Sequence, residues 1–318
     1  MTLKNRNVCF PLIGFAPLAA VLTIILTVGA SLFCQAEEEK VGLLILTHGS
    51  PSPRWNESIT QLAEEVRSLN DGRFAAIEWA NMEFAQPDTT EGIERLENAG
   101  CDRIIVVPAF IFPTSHSHFD VPTVLGLYSS PSTRATLEEE GGRAARPKVP
   151  ITMTQTLSEG DLLAKYIAEE IESTSTNSAE EVLLIIAHGD GDHAGLINPV
   201  MKKLCTSACG RYGFSEGNWA YCEMGQSYNE TVRPLLEKYS EEGKRCVVVG
   251  LYLATSAGDI NDISERMKAA RRAGTPAAAD AAEGQEAESG PGAVFSRRPL
   301  IKSPQTAPFV FKIASEAL

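Results

Sequence analysis

Positive charge is scarce in this chain of 318 residues: 28 Lys and Arg stand against 41 Asp and Glu, a net charge of −13. A phosphate backbone calls for a basic surface, so nucleic acid is not the expected partner. No Cys-x-x-Cys pair occurs, which removes zinc ribbons and thioredoxin-type redox sites. No phosphate-cradling glycine loop is present, which argues against ATP-driven chemistry. Disorder is not the dominant state either, because 43% hydrophobic and 22% charged residues make a normal globular balance.

Charge is missing altogether between Asn7 and Ala36. Lys4 and Arg6 precede this stretch, and Glu37, Glu38 and Glu39 follow it. A basic start, an apolar core and small residues before the break describe a secretory signal cut after Ala36, or an uncleaved membrane anchor. Residues 1–36 are therefore expected to direct export to the periplasm or another extracytoplasmic space. Their removal would leave Cys101, Cys205, Cys209, Cys222 and Cys246, an odd number that cannot all pair within one chain. Cys205 and Cys209 lie on one helix face; buried thiols are the expected reading, and a disulfide the alternative.

What the chain does contain is a repeat. Gly42-Leu-Leu-Ile-Leu-Thr-His48-Gly49 parallels Val182-Leu-Leu-Ile-Ile-Ala-His188-Gly189, and Trp79-Ala-Asn-Met-Glu83 parallels Trp219-Ala-Tyr-Cys-Glu223. The interval from His to Glu is 35 residues in both copies. Each copy alternates short Val/Ile/Leu runs with amphipathic stretches, the pattern of a parallel sheet covered on both faces. The fold class is thus α/β: two tandem Rossmann-like domains, 40–175 and 180–318, joined by the polar linker Ser173–Glu180. Strands are expected near 41–47, 75–82, 103–109 and 150–155, then near 182–187, 217–222 and 245–253. Helices fall near 55–69, 88–99, 121–128, 159–172, 195–207, 228–241 and 260–272, with Asp88 and Thr89 as caps. The Ala/Gly/Glu/Pro-rich segment 272–305 is expected to be a disordered loop. The run Pro308-Phe-Val-Phe-Lys-Ile-Ala is expected to return as the fourth strand of the second sheet.

In an open parallel sheet, ligands bind beyond the carboxyl ends of the strands. His48 follows the first strand, Glu83 closes the second, and His116 follows the third with His118 beside it. Of the five histidines, these three share one edge; His188 and His193 lie at the matching edge of the second copy. Neutral imidazole is a good ligand for Co, Fe, Ni or Zn, and two His with one Glu suit transient metal handling better than a closed structural site.

These residues resemble the class II chelatases, specifically the sirohydrochlorin cobaltochelatase/ferrochelatase family. The resemblance rests on Leu46-Thr-His48-Gly49-Ser50, Arg54-Trp55-Asn56-Glu57, Glu83-Phe-Ala-Gln-Pro87 and Pro-x-Phe-Ile-x-x-x-x-His116-x-x-x-Asp120-Val-Pro, and it runs over roughly 40–270. The family places its second ligand His four residues before the Asp, which selects His116 over His118. It usually has Gly where this chain has Thr114. In the second copy Gly258 stands at the position of His116, with Asp262 matching Asp120, so one working site is expected, in the first copy. His188 and Glu223 are then expected to be remnants, with receiving or passing on metal as the alternative.

The resemblance implies insertion of Co or Fe into sirohydrochlorin or a related tetrapyrrole, with the metal as substrate and no fixed cofactor. His48 and His116 would be metal ligands, Glu83 a third ligand or general base, and Asp120 the support of His116. Ser50 and Arg54 are substrate-binding candidates. The rival is an exported, non-catalytic carrier of metal or tetrapyrrole. A phosphohistidine enzyme is disfavoured, since His48-Gly49 lacks the Arg of an Arg-His-Gly signature.

Overall fold

The computed structural model describes residues 38–128, 130–139, 141–222, 228–273 and 292–318. The segment 1–36, Glu223 and much of the expected loop at 272–305 lie outside these residues. Among the described residues, no helix is long and apolar enough to cross a membrane. Lys40–Leu318 forms one compact unit.

Two four-stranded sheets of the same design make up this unit. The first holds β1 (Val41–Thr47), β2 (Ala76–Asn81), β3 (Arg103–Pro108) and β4 (Ile151–Met153) in the order β2-β1-β3-β4. The second holds β5 (Glu181–Ala187), β6 (Glu216–Tyr221), β7 (Arg245–Leu251) and β8 (Ala293–Phe295) in the order β6-β5-β7-β8. Every pairing is parallel. The central strands β1 and β5 are buried along their whole length, as expected of continuous apolar runs covered on both faces. The two registers correspond: Leu46 pairs with Pro108 in one sheet, and Ile186 with Gly250 in the other. His116 and Gly258 therefore occupy equivalent places, eight residues after an equivalent strand position.

The helices are α1 (Pro53–Ser68), α2 (Thr89–Asn98), α3 (Val121–Val124), α4 (Pro131–Glu139), α5 (Leu162–Thr174), α6 (Ala194–Tyr212), α7 (Arg233–Glu241), α8 (Ala257–Ala273) and α9 (Thr306–Ser315). Asp88 caps α2 by accepting the Glu91 N–H at 2.9 Å, and Gly100 follows its end at φ +79°. Helix α4 was not expected; 121–128 contributes only the short α3 before it.

Two expectations for the C-terminal region are corrected. The fourth strand of the second sheet is β8, pairing Ala293 with Cys246 and Phe295 with Val248, so the stretch 292–305 is not disordered. The run at Pro308 is helical, in α9. Its apolar residues Phe309, Val310, Ile313 and Ala314 recur at helical spacing and are buried, and Pro308 falls in the first turn, where its missing N–H costs nothing.

The last helix of each copy crosses to the other. Helix α5 packs on β7 and α6, while α9 packs on α1 and β3. The Tyr166 hydroxyl on α5 reaches the carbonyls of Gly250 and Arg298, at 3.0 and 2.6 Å. Arg103 on β3 donates to the Ala317 carbonyl at 3.2 Å. One apolar core accordingly runs from Leu43 and Ile45 through α1, α5, α6 and α9 to Leu183 and Ile185. Smaller cores cover the far face of each sheet.

Cys101, Cys205, Cys209, Cys222 and Cys246 are free thiols. Burial pushes the Cys205 thiol up to about 12. Cys101, Cys205, Cys222 and Cys246 are buried as expected, Cys209 is half-buried, and no disulfide joins Cys205 to Cys209 in this structure.

Candidate functional site

In the first sheet the strand order reverses between β1 and β3, and this reversal opens a crevice at their carboxyl ends. His48 leaves β1 and His116 follows β3, so topology brings them together. Their ring centroids are 4.7 Å apart, edge to face. Phe110 stacks on His116 at 5.9 Å and Phe84 lies 5.5 Å from His48. Both imidazoles are about one-third exposed, whereas Glu83 is 2% exposed.

Each imidazole is held by a carboxylate. Glu83 Oε1 lies 2.7 Å from His48 Nε2, and Asp120 Oδ2 lies 2.7 Å from His116 Nδ1. The second contact is local. His116–Asp120 forms a single π-helical turn that puts residues four apart on one side. The Ser117 hydroxyl steadies this turn, accepting the Thr114 N–H and donating to the Thr114 carbonyl, each at 3.0 Å. Phe84 is the only non-glycine among the described residues with positive φ, so the departure to Thr114 demands no left-handed backbone.

His48 Nδ1 faces the Gly49 carbonyl at 3.1 Å. A carbonyl only accepts, so this contact is a hydrogen bond when Nδ1 carries the hydrogen, which turns Nε2 to Glu83. At 2.7 Å this second contact lets Nε2 and Glu83 share a proton. It also explains why no three His, Cys, Asp or Glu side chains among the described residues converge as ligands of one ion: Glu83 turns its carboxylate to His48 instead of to an open position.

The Glu83 loop is fixed from behind by a polar cluster that motif reading did not single out. Thr47 donates to the Asn81 side-chain carbonyl at 2.9 Å, and the Trp55 indole N–H reaches both groups at 3.3 Å. The Asn81 amide donates to Asn56 at 3.0 Å and to the Ala85 carbonyl at 3.3 Å, and Asn56 donates to the Gln86 carbonyl at 2.9 Å. Trp55 and Asn56 sit in a motif noted in the sequence; their task as props of the loop follows only from the fold. The Glu83 N–H also bonds the His48 carbonyl at 3.0 Å. That approach requires Gly49, whose φ is +101° and whose missing Cβ would run into the Glu83 carbonyl. Glu83 is followed by Phe84 at φ +65°, local strain of the kind found at functional sites.

The Ser50 hydroxyl accepts the Ser52 N–H at 3.1 Å. Arg54 is exposed in the first turn of α1.

The equivalent edge of the second sheet is built differently. Ala187 and Tyr221 replace Thr47 and Asn81, which removes the polar cluster. His188 repeats the contact of its Nδ1 with the following carbonyl, at 2.9 Å. At Gly258 any side chain would meet the Arg297 guanidinium carbon at 2.7 Å. Arg297 fills that space and pairs with Asp262 at 2.5 Å. A fixed cation therefore occupies the place that an imidazole takes in the first copy.

The CbiX family model matches residues 42–174. The sirohydrochlorin cobaltochelatase of Sulfurisphaera tokodaii is 30% identical over 137 residues, which cover 43% of this chain and 98% of that protein. That of Methanocaldococcus jannaschii is 36% identical over 85 residues, covering 27% of this chain and 58% of its own. Relatives from Methanococcus maripaludis and Methanopyrus kandleri are likewise spanned over only 58% and 59% of their length. Among solved structures, SirB from Bacillus subtilis with Fe3+ superposes with a TM-score of 0.60 at 16% identity, covering 87% of this chain and 95% of SirB. SirB from Bacillus subtilis subspecies spizizenii in complex with cobalt gives 0.54 at 15%, covering 87% of this chain and 94% of that one. At such identities these likenesses establish the shared fold. The match to nearly the whole S. tokodaii protein goes further: this chain belongs to the CbiX family of chelatases.

Proposed function

We propose that this protein inserts a divalent metal ion, cobalt or iron, into sirohydrochlorin or a closely related tetrapyrrole. The observation that carries this reading is the pair of carboxylate-backed imidazoles, 4.7 Å apart at the switch point of the first sheet. His48 and His116 are the residues to hold the incoming ion, with Asp120 orienting His116. Glu83 acts as the acid–base partner of His48. An ion taking His48 Nε2 displaces any proton shared between that nitrogen and Glu83. When the ion moves into the ring, two pyrrole N–H protons must leave, and the vacated His48–Glu83 pair takes up one of them. The other is left for solvent. The second copy supplies a wall and a fixed cation at Arg297, not a second insertion site. Residues 1–36 are read as an export element, which cell fractionation would test.

The deciding experiment mixes purified protein with sirohydrochlorin and Co²⁺ or Fe²⁺ and follows the absorbance of the macrocycle. Catalysis well above the uncatalysed rate is expected. It should be lost in His48→Ala and His116→Ala and retained in His188→Ala. Tight binding of tetrapyrrole or metal without rate enhancement would identify a carrier instead.

A further inference from the structure

Where the first copy meets the second, a different pair of imidazoles lies side by side. His118 belongs to the π-helical turn after β3, and His193 directly precedes α6. Their rings are 5.5 Å apart and only 15° from parallel. His118 Nδ1 faces the Thr114 carbonyl at 3.0 Å, and His193 Nδ1 faces Asp190 Oδ2 at 3.0 Å. Asp190 is anchored from the other copy by the Ser115 backbone N–H and hydroxyl, at 3.0 and 3.1 Å. Burial pushes the Asp190 carboxyl up, but the Ser115 N–H, the His193 ring and the Ser115 hydroxyl outweigh it and bring it down to about 2. It is therefore a carboxylate at neutral pH and can only accept.

These partners fix both tautomers. A carbonyl and a carboxylate each require a donor, so in the neutral ring each Nδ1 carries the hydrogen and each Nε2 keeps its lone pair. Among the described residues, no hydrogen bond engages either Nε2. A histidine that donates through one nitrogen to an oxygen acceptor and leaves the other nitrogen bare has the supporting arrangement of a metal ligand. Metal–imidazole bonds of about 2.0–2.1 Å put two ligating nitrogens within about 4.2 Å of each other. With centroids 5.5 Å apart, the two rings stand little farther apart than that span.

We propose that His118 and His193 form a second binding site for a divalent transition-metal ion, bridging the two copies and distinct from the His48–His116 pair. Imidazole nitrogens select Co²⁺, Fe²⁺, Ni²⁺ or Zn²⁺ over Mg²⁺ or Ca²⁺. With two protein ligands, the remaining positions belong to water, which suits an ion that must leave again. His118 stands two residues from His116, so the site stages metal beside the insertion site; that role, unlike the site itself, rests on the function proposed above.

The test is equilibrium dialysis of the tag-free full chain against Co²⁺ alone, with bound metal counted by mass spectrometry and the fold checked by circular dichroism. Wild type should bind two ions per chain, His118→Ala and His193→Ala one each, and the double variant His48→Ala/His193→Ala none. Asp190→Asn should weaken the bridging site about 10- to 100-fold. Unchanged stoichiometry in folded His118→Ala and His193→Ala overturns the proposal. Should those variants misfold, substoichiometric Co²⁺ added to wild type must broaden the ring proton resonances of His118 and His193, and sharp signals there overturn it equally. If His48→Ala still binds two ions, the insertion-site ligands are wrong while the bridging site stands.

Discussion

Gly49 tests whether the His48–Glu83 contact is built into the backbone. In Gly49→Ala the new methyl would stand 3.0 Å from the Glu83 carbonyl carbon, and closer still to its oxygen. Relief requires the Glu83 loop to retreat from β1 by about 1 Å, at an overpacking cost of about 1–3 kcal/mol. The φ of +101° adds about 1–2 kcal/mol for a residue with a Cβ. Gly72→Ala separates the two effects, because Gly72 has φ +98° and nothing within 4 Å of its Cβ position. Gly72→Ala should therefore lose only the conformational part and keep its activity. Gly49→Ala should lose about 2–5 kcal/mol, a fall in Tm of about 4–10 °C for a unit of this size. A displacement of about 1 Å at a reacting pair costs on the order of 100-fold in rate. The assays are thermal unfolding and the initial rate of metal insertion, run on both variants. If Gly49→Ala matches Gly72→Ala in Tm and rate, the close approach of the two loops does not govern the site.

Asp88 caps α2 directly after the Glu83 loop and pairs with Arg143 at 2.7 Å. Burial raises its carboxyl, but the Arg143 contacts and the Glu91 N–H outweigh that and leave it lowered. A lowered folded value means stability that is present above the unfolded value of about 3.9 and lost as pH falls below it. Asp88→Ala should cost about 1–2 kcal/mol at pH 7, with the difference from wild type shrinking as pH is lowered through that range; a constant difference would refute the linkage. Phe309 on α9 lies under Gly160 of the first copy, within 2.9 Å of its Cβ position. Phe309→Ala should cost about 3–5 kcal/mol and lower insertion activity, although it lies in the second half of the chain. Calorimetry should show one transition, and two separate ones would refute the shared core.

The parts of the fold readable in the sequence were those fixed by continuous patterns. β1, β3, β5 and β7 are apolar runs too short for helices and bounded by polar residues. The strand-end rule then assembled His48, Glu83 and His116 from positions far apart in the chain. The C-terminal region misled for a physical reason: Phe309-Val-Phe-Lys-Ile-Ala is apolar at both strand and helix spacing, and its true neighbours are α1 and β3, hundreds of residues away. β8 was hidden because Ala293-Val-Phe295 is short and follows a run of small residues. The Thr47–Trp55–Asn81 cluster was unreadable because uncharged polar residues carry no period. Arg297 in the place of a ligand was equally hidden, since nothing local ties position 297 to 258. His118 was set aside by motif spacing, and only the packing of the two copies reveals its partner.

The exchange of α5 and α9 makes each half of the molecule a guest of the other. The half bearing His48 and His116 leaves the ribosome first, yet its flank stays open until α9 has been made. The insertion site cannot be finished ahead of the rest, so an unfinished chain has little chance to trap metal at a half-formed pair of imidazoles. Cutting the two copies apart would give two pieces, each missing a helix and carrying a spare one, and they would be expected to regain activity only on reassociation.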